Sequence, residues 1–377
     1  MDLRDVVRSK FEEIRNCRQE LHDNAELSFE EYNTNKLIRG YLDDLGIRNK
    51  TVFNTGVVGV MNEGDSCIAL RCDMDALPVN GVSHACGHDF HMAVVMGTAM
   101  VLKEIGCKKT VKFIFQPGEE DKCGGALPMI MEGVLENPKV KCALGLHFWP
   151  GVDAGKIEIA GGPTMASVDS FIIRFIGKGG HAAMPYLCKN PIYPSMDFIQ
   201  SMNNKLHIEN NPLDQFVVTF TSITAGEASN VIADEAVVRG TVRTFNRELR
   251  KKIKSDMIIG SETSAMKYGC RAQVTYGDGY PPLINDAPLT RRFTDAAEEL
   301  LGKDNVLPLT KSFTAEDFAY FAEKVPSVHF RLGIREGAVG NDALHSTKFS
   351  ASEEALFYGV LILANFIINM EDEYYVG

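Results

Sequence analysis

Basic residues are scarce in this chain: 39 Lys and Arg stand against 50 Asp and Glu in 377 residues, a net charge of −11. A surface of that sign repels nucleic acid and anionic lipid, so neither is expected as a partner. Long apolar runs are also missing. The most apolar stretch, Ala355–Met370, is broken by Gly359, Asn365 and Asn369. It falls short of the ~20 residues of a membrane span and reads as a buried core helix. The opening Met1-Asp2-Leu3-Arg4-Asp5 puts charge where a signal peptide needs an apolar core. No C-x-x-C pair occurs among the 9 cysteines, which weakens a redox reading. The odd count and the length of the chain argue for reduced thiols and a cytoplasmic location. Repeats, low-complexity segments and long linkers are absent.

What is present is an ordinary globular balance, 45% apolar and 24% charged. At ~150 residues per domain the length suggests two or three domains. Residues 6–46 carry two amphipathic helical patterns, with Gly46 as a stop. Strand-length apolar runs follow at Val57–Met61, Cys67–Arg71, Val111–Gln116 and Cys142–His147, with a helix from about Phe90 to Leu102. Strands alternating with helices imply an α/β sheet. After Gly162 the order becomes strand Ser170–Gly177, helix Pro191–Leu206, strands Gln215–Ile223 and Glu235–Phe245, helix Arg247–Lys267 and strand Arg271–Tyr276. That is the ferredoxin-like order. The expected fold is therefore α/β. A catalytic domain built on a central mixed sheet spans 1–164 and 279–377, and a ferredoxin-like α+β domain is inserted at 165–278. In the returning segment Leu289–Leu301 and Ala315–Lys324 are expected as helices and Val328–Leu332 as a strand.

Chemistry concentrates at His84-Ala85-Cys86-Gly87-His88-Asp89-Phe90-His91. Thiolate and imidazole both ligate zinc-like ions, and Gly87 lets Cys86 and His88 aim at one point. A lone Cys/His pair is most often inert packing; three His, one Cys and one Asp in eight residues weaken that reading. Phe115-Gln116-Pro117-Gly118-Glu119-Glu120 places two carboxylates just beyond a strand, where open α/β sheets bind ligands. One could bind a metal while its neighbour handles protons, although such a pair is usually a solvated loop. His147 ends an apolar strand, His345 follows a flexible stretch, and His181 sits in the glycine-rich Gly177-Lys178-Gly179-Gly180 turn. His147 and His345 alone read as structural histidines, and a glycine-rich turn like that of His181 more often binds phosphate or merely turns. The turn lacks nucleotide-binding spacing.

Taken in order, Asp73-Met74-Asp75-Ala76-Leu77-Pro78, His84–Asp89, Gln116–Glu120, Gly179-Gly180-His181 and Leu344-His345 resemble the M20 metallopeptidase family. The closer likeness is to its amidohydrolase branch of hippurate hydrolases, N-acyl-amino-acid deacylases, auxin-conjugate hydrolases and N-acetyldiaminopimelate deacetylases. Glu26–Glu31, Asn230-Val231-Ile232, Gly240–Phe245 and Glu316–Tyr320 also match, so the resemblance runs through nearly the whole chain.

The resemblance implies two divalent ions per subunit (zinc, manganese, cobalt and nickel are not distinguished) held by Cys86, His88, Glu120, His147 and His345, with Cys86 bridging. It implies Glu119 as general base and His181, from the inserted lid, as the group that polarises the scissile carbonyl or holds the oxyanion. Asp75 is expected beside the ligands without being one, Asn230 and Arg243 as partners of the substrate, and His91, a family position not usually assigned as a ligand, as a reserve candidate. The implied reaction is metal-dependent hydrolysis of the amide of a small N-acyl amino acid. The implied assembly is a homodimer through the inserted domain. A narrower reading is N-acetyldiaminopimelate deacetylation in lysine biosynthesis; a rival class is a silent relative that only binds acylated metabolites. The Pro78–His84 segment is shorter than usual for the family, and Tyr186 and Asn190 replace its His and Asp, which unsettles expectations about specificity.

Overall fold

A computed structural model describes residues 2–370; Met1 and residues 371–377 of the expected catalytic segments lie outside the described residues. The chain forms two compact units. Among the described residues the first comprises 2–164, 284–310 and 316–370, and the second 165–283 with 311–315.

The first unit opens with two amphipathic helices, α1 (Leu3–Asp23) and α2 (Tyr32–Asp44). The Asp2 side chain caps the first N-terminus by accepting the Arg4 N–H, and Val6, Val7, Ile14 and Leu21 make its buried stripe. The sheet strands follow: β1 (Arg48–Val52), β2 (Gly56–Met61), β3 (Ser66–Asp73), β4 (Val111–Gln116), β5 (Lys139–Asp153), β6 (Ile157–Ile159), β7 (Val306–Pro308) and β8 (Ser327–Arg335). Their spatial order is β1-β2-β4-β3-β5-β8-β6-β7. The central β4-β3-β5-β8 block is parallel, and antiparallel pairings to β2 and β6 make the sheet mixed. Residues of the parallel strands are buried on both faces, which is why they read as continuous apolar runs. One face packs on α3 (His88–Glu104), apolar nearly all round, and on the helix Glu354–Asn369. That last helix is the buried core helix read from Ala355–Met370, with Leu356, Val360, Leu363 and Ile367 inside.

Strand β5 runs well past the expected Cys142–His147, because β3 and β8 pair along its two edges in succession. The expected helix at Ala315–Lys324 is a correction: only Ala319–Ala322 is helical. Glu316 and Asp317 turn their carboxylates into the interior instead, and Glu316 accepts the Phe318 N–H at 3.0 Å.

The second unit has a four-stranded antiparallel sheet, in the order Phe216–Ala225, Glu235–Thr244, Asp169–Ile176, Arg271–Asp278. Helices Ile192–Glu209 and Arg247–Lys267 complete the ferredoxin-like pattern. Phe171, Ile173 and Phe175 alternate inward to meet Phe198, Met202, Ile253 and Met257. Asn246 caps the second helix, its side chain accepting the Glu248 and Leu249 N–H groups at 2.9 and 3.1 Å.

Candidate metal centre

The parallel strands of the first unit end together, β3 at Asp73 and β4 at Gln116, beside His147 of β5. Open α/β sheets place their ligands at such carboxyl ends. Gly87 precedes α3 with φ 85°, and a Cβ there would lie 3.2 Å from the Phe349 ring. Glycine alone makes this turn, which delivers Cys86 and His88 to one spot. The loop bearing His345 is tied in by its own N–H, which donates to the Ala85 carbonyl at 2.8 Å. His345 itself holds φ 63°, a strained value for a side-chain-bearing residue.

The side chains converge. Donor atoms of Cys86, His88 and His147 lie within 4.8 Å of one another, as do those of Cys86, Glu120 and His345. Cys86 belongs to both triads. Its Sγ is 3.4 Å from His147 Nε2, and Glu120 Oε1 is 3.1 Å from His345 Nε2 and 3.8 Å from His88 Nε2. His88, Glu119 and Glu120 form a third such group.

Backbone carbonyls set the imidazole orientations. His88 Nδ1–H donates to the Asp75 carbonyl at 2.8 Å, and His147 Nδ1–H to the Phe148 carbonyl at 2.7 Å. Both rings therefore turn Nε2 toward Cys86. His88 Nε2 is buried without a hydrogen-bond partner, and Glu120 Oε1, also buried, has the His345 imidazole as its near neighbour. A buried, unpartnered imidazole nitrogen beside a thiol and a carboxylate is what a zinc-like divalent ion satisfies, so the residues fit such an ion. Burial pushes the Cys86 thiol well above its usual range against the pull of His88. A cation would reverse that and take the thiolate.

The Glu119-Glu120 turn is clamped from below. Asp75, wholly buried, accepts the Glu119 and Glu120 N–H groups at 3.1 and 2.9 Å and the Ser28 hydroxyl at 2.6 Å. Although burial opposes it, the His88 and Ser28 hydrogen bonds hold the Asp75 carboxyl below its ordinary value. Glu31 accepts the Gly118 N–H at 2.9 Å. Gly118 has φ 64°, and a Cβ there would come 2.3 Å from the Phe29 ring. Behind Glu119 lies a charge cluster for which sequence reasoning assigned no roles. Arg71, 2% exposed, pairs with Glu316 at 2.9 Å, Asp73 at 3.3 Å and Asp317, and donates to Gln116 at 2.9 Å. The available signal was an arginine inside an apolar strand, which is rarely buried unless paired. Burial, then Glu316, Glu120 and Asp317, push the Glu119 carboxyl well above the carboxylate range. The acids outnumber Arg71, so the region favours cations.

His181, Asn230 and Arg243 belong to the second unit. His181 pairs with Val231 across a short ladder and is exposed, and its Nδ1 accepts the Ala183 N–H at 3.1 Å. The Asn230 carbonyl accepts the Ala182 N–H at 3.0 Å, so Asn230 and His181 are neighbours. Arg243 donates through Nη1 to the Phe313 carbonyl at 2.8 Å. Tyr186 is exposed, and Asn190 accepts the Ile192 N–H at 3.0 Å. In the first unit the short Pro78–His84 segment is closed by paired Leu77 and Ser83.

The profile of peptidase family M20/M25/M40 matches residues 69–369. An N-acetylcysteine deacetylase of Bacillus subtilis is 37% identical over 90% of this chain and 92% of its own. An IAA-amino acid hydrolase of Arabidopsis thaliana is 33% identical over 93% and 83%. A crystal structure of a dinuclear metal-binding M20 peptidase from Bacillus subtilis superposes with a TM-score of 0.81 at 34% identity, covering 96% of this chain and 98% of that one.

Proposed function

The chain belongs to the M20/M25/M40 peptidase family, and from that premise we propose that it hydrolyses the amide bond of small N-acyl amino acids, releasing a carboxylic acid and a free amino acid. One observation carries the reading. Cys86, His88, Glu120, His147 and His345 converge in two triads sharing Cys86, with the buried, unpartnered Nε2 of His88 among them. These five would hold two divalent ions, and ions held there supply Lewis acidity toward water and a substrate carbonyl.

The remaining chemistry falls to the protein. Glu119 takes the proton of the attacking water and returns it to the leaving amine. Burial and the neighbouring carboxylates raise its proton affinity, and a cation held beside it would lower that again. Asp75 keeps Glu119 and Glu120 pointing outward from one turn. His181 is assigned as hydrogen-bond donor to the scissile carbonyl; its Nδ1 accepts from Ala183, so the proton sits on Nε2. Asn230 and Arg243 are assigned to the substrate carboxylate, for which a guanidinium is the natural partner. The nine cysteines, all free thiols, favour a reducing compartment. Assembly as a homodimer through the inserted unit is part of the same reading, since its sheet leaves Phe216–Ala225 and Arg271–Asp278 at the edges.

The test is a panel of N-acetyl, N-benzoyl and indole-acyl amino acids incubated with the metal-loaded protein. Free amine released only with metal supports the enzyme. Tight binding with no release identifies a silent metabolite binder and ends the hydrolase reading. Light scattering of the purified protein decides the dimer.

A further inference from the structure

We propose that His91 is a positioning residue for the metal centre: it fixes the peptide that aims His147 and is not itself a ligand. This rests on the metal-centre reading above.

His91 lies one helical turn beyond His88 on α3 and is fully buried. Its ring centroid is 4.8 Å from that of His147. Nearness alone fits a ligand, and donor atoms of Asp73, His88 and His91 do fall within 4.8 Å of one another. The hydrogen bonds say otherwise. The Phe148 N–H donates to His91 Nε2 at 2.9 Å, which uses that nitrogen's single lone pair. The ring proton then sits on Nδ1 and donates to Asp73 Oδ1 at 2.6 Å. Neither nitrogen has a lone pair left for a cation.

What those bonds accomplish is visible in the strand. The registered pairing of β3 with β5 stops at Arg71 and Gly145. The Phe148 N–H lies beyond that ladder, and the His91 imidazole supplies the acceptor there. Phe148 is thereby held at both ends: its N–H by His91, its carbonyl by His147 Nδ1–H at 2.7 Å. His147 Nε2 is left 3.4 Å from Cys86 Sγ. A relay from Asp73 through His91 and Phe148 thus sets the angle of one ligand ring, and such outer contacts tune a metal site.

Two substitutions separate the halves of the relay. In His91→Gln an amide oxygen can occupy the place of Nε2 and accept the Phe148 N–H. In His91→Asn the amide reaches only the place of Nδ1, keeping Asp73 and abandoning Phe148. The metal-stripped proteins are titrated with Co(II) against a chromophoric chelator, with the visible cobalt–thiolate spectrum recorded and urea midpoints measured without metal. The expected result is Co(II) affinity about 10–100-fold weaker in His91→Asn, largely recovered in His91→Gln, with both ions still bound at saturation. Equal losses in the two variants overturn the proposal; if His91→Asn does not fold, a His91→Gln protein that binds as poorly as His147→Ala overturns it by itself. A parent protein that takes up no Co(II) overturns this and the metal-centre reading together; a parent that binds two equivalents while both variants match it overturns this alone.

Discussion

Asp75 accepts the backbone N–H of Glu120 at 2.9 Å across 45 residues of sequence, joining the end of one parallel strand to the turn after its neighbour. The other carboxylate oxygen takes Glu119 N–H, and the Asp75 carbonyl takes His88 Nδ1–H. One residue thereby places the base and two ligands. Asp75→Asn turns one acceptor into a donor facing those N–H groups. Metal affinity should fall about 10–100-fold, measured by chelator competition. Unchanged affinity would mean the turn holds its shape without the clamp.

Membership of both triads makes Cys86 unlike His345. Cys86→Ala should weaken the uptake of both ions, whereas His345→Ala should cost one. Elemental analysis of each dialysed protein counts them. A Cys86→Ala protein carrying two equivalents would remove the thiolate from the site.

Glu119→Gln keeps the size of the side chain and the Asp75 contact at the backbone. Metal content should match the parent while kcat drops on the order of 10²–10⁴-fold. Retained turnover would pass the proton-transfer role to another group.

Gly118 is constrained twice, by its positive φ and by Phe29. Gly118→Ala should destabilise the fold by about 1–3 kcal/mol, read from urea midpoints. Adding Phe29→Leu should recover the steric part and leave the backbone strain. No recovery would mean that Phe29 already yields.

His329 is buried beside Arg71, and burial first, then that positive charge, hold its pKa down to about 3. Unfolded, it takes up a proton near pH 6.5. Between those values the unfolded state binds the extra proton, so stability rises with pH and falls as acid is added through 6.5 toward 3. His329→Gln should flatten the slope of unfolding free energy against pH by up to about 1.4 kcal/mol per unit. Urea melts at pH 5 and 7.5 check it. An unaltered slope would assign the dependence to His84, whose burial lowers it to about 4.

How much of this was written in the linear chain depends on how local each cause is. The strand Val111–Gln116 and the helix Arg247–Lys267 occur with the ends read from the sequence, because apolar periodicity and capping act over a few residues. The helix expected at Ala315–Lys324 shrank to Ala319–Ala322, since Glu316 and Asp317 answer to Arg71 some 245 positions away rather than to their neighbours. The residue types able to ligate a metal were legible as well: a thiol, imidazoles and carboxylates in a recognisable succession. Only the folded chain shows which nitrogen of His88 and His147 faces inward and why His91 offers none. It also shows that Asp75 carries the Glu119 turn. His147 is turned by the carbonyl of the very next residue, whereas His88, His91 and the Glu119 turn are set by hydrogen bonds to groups distant in the sequence. For those three, neighbours along the sequence cannot specify the arrangement, because the partners meet only when the sheet closes.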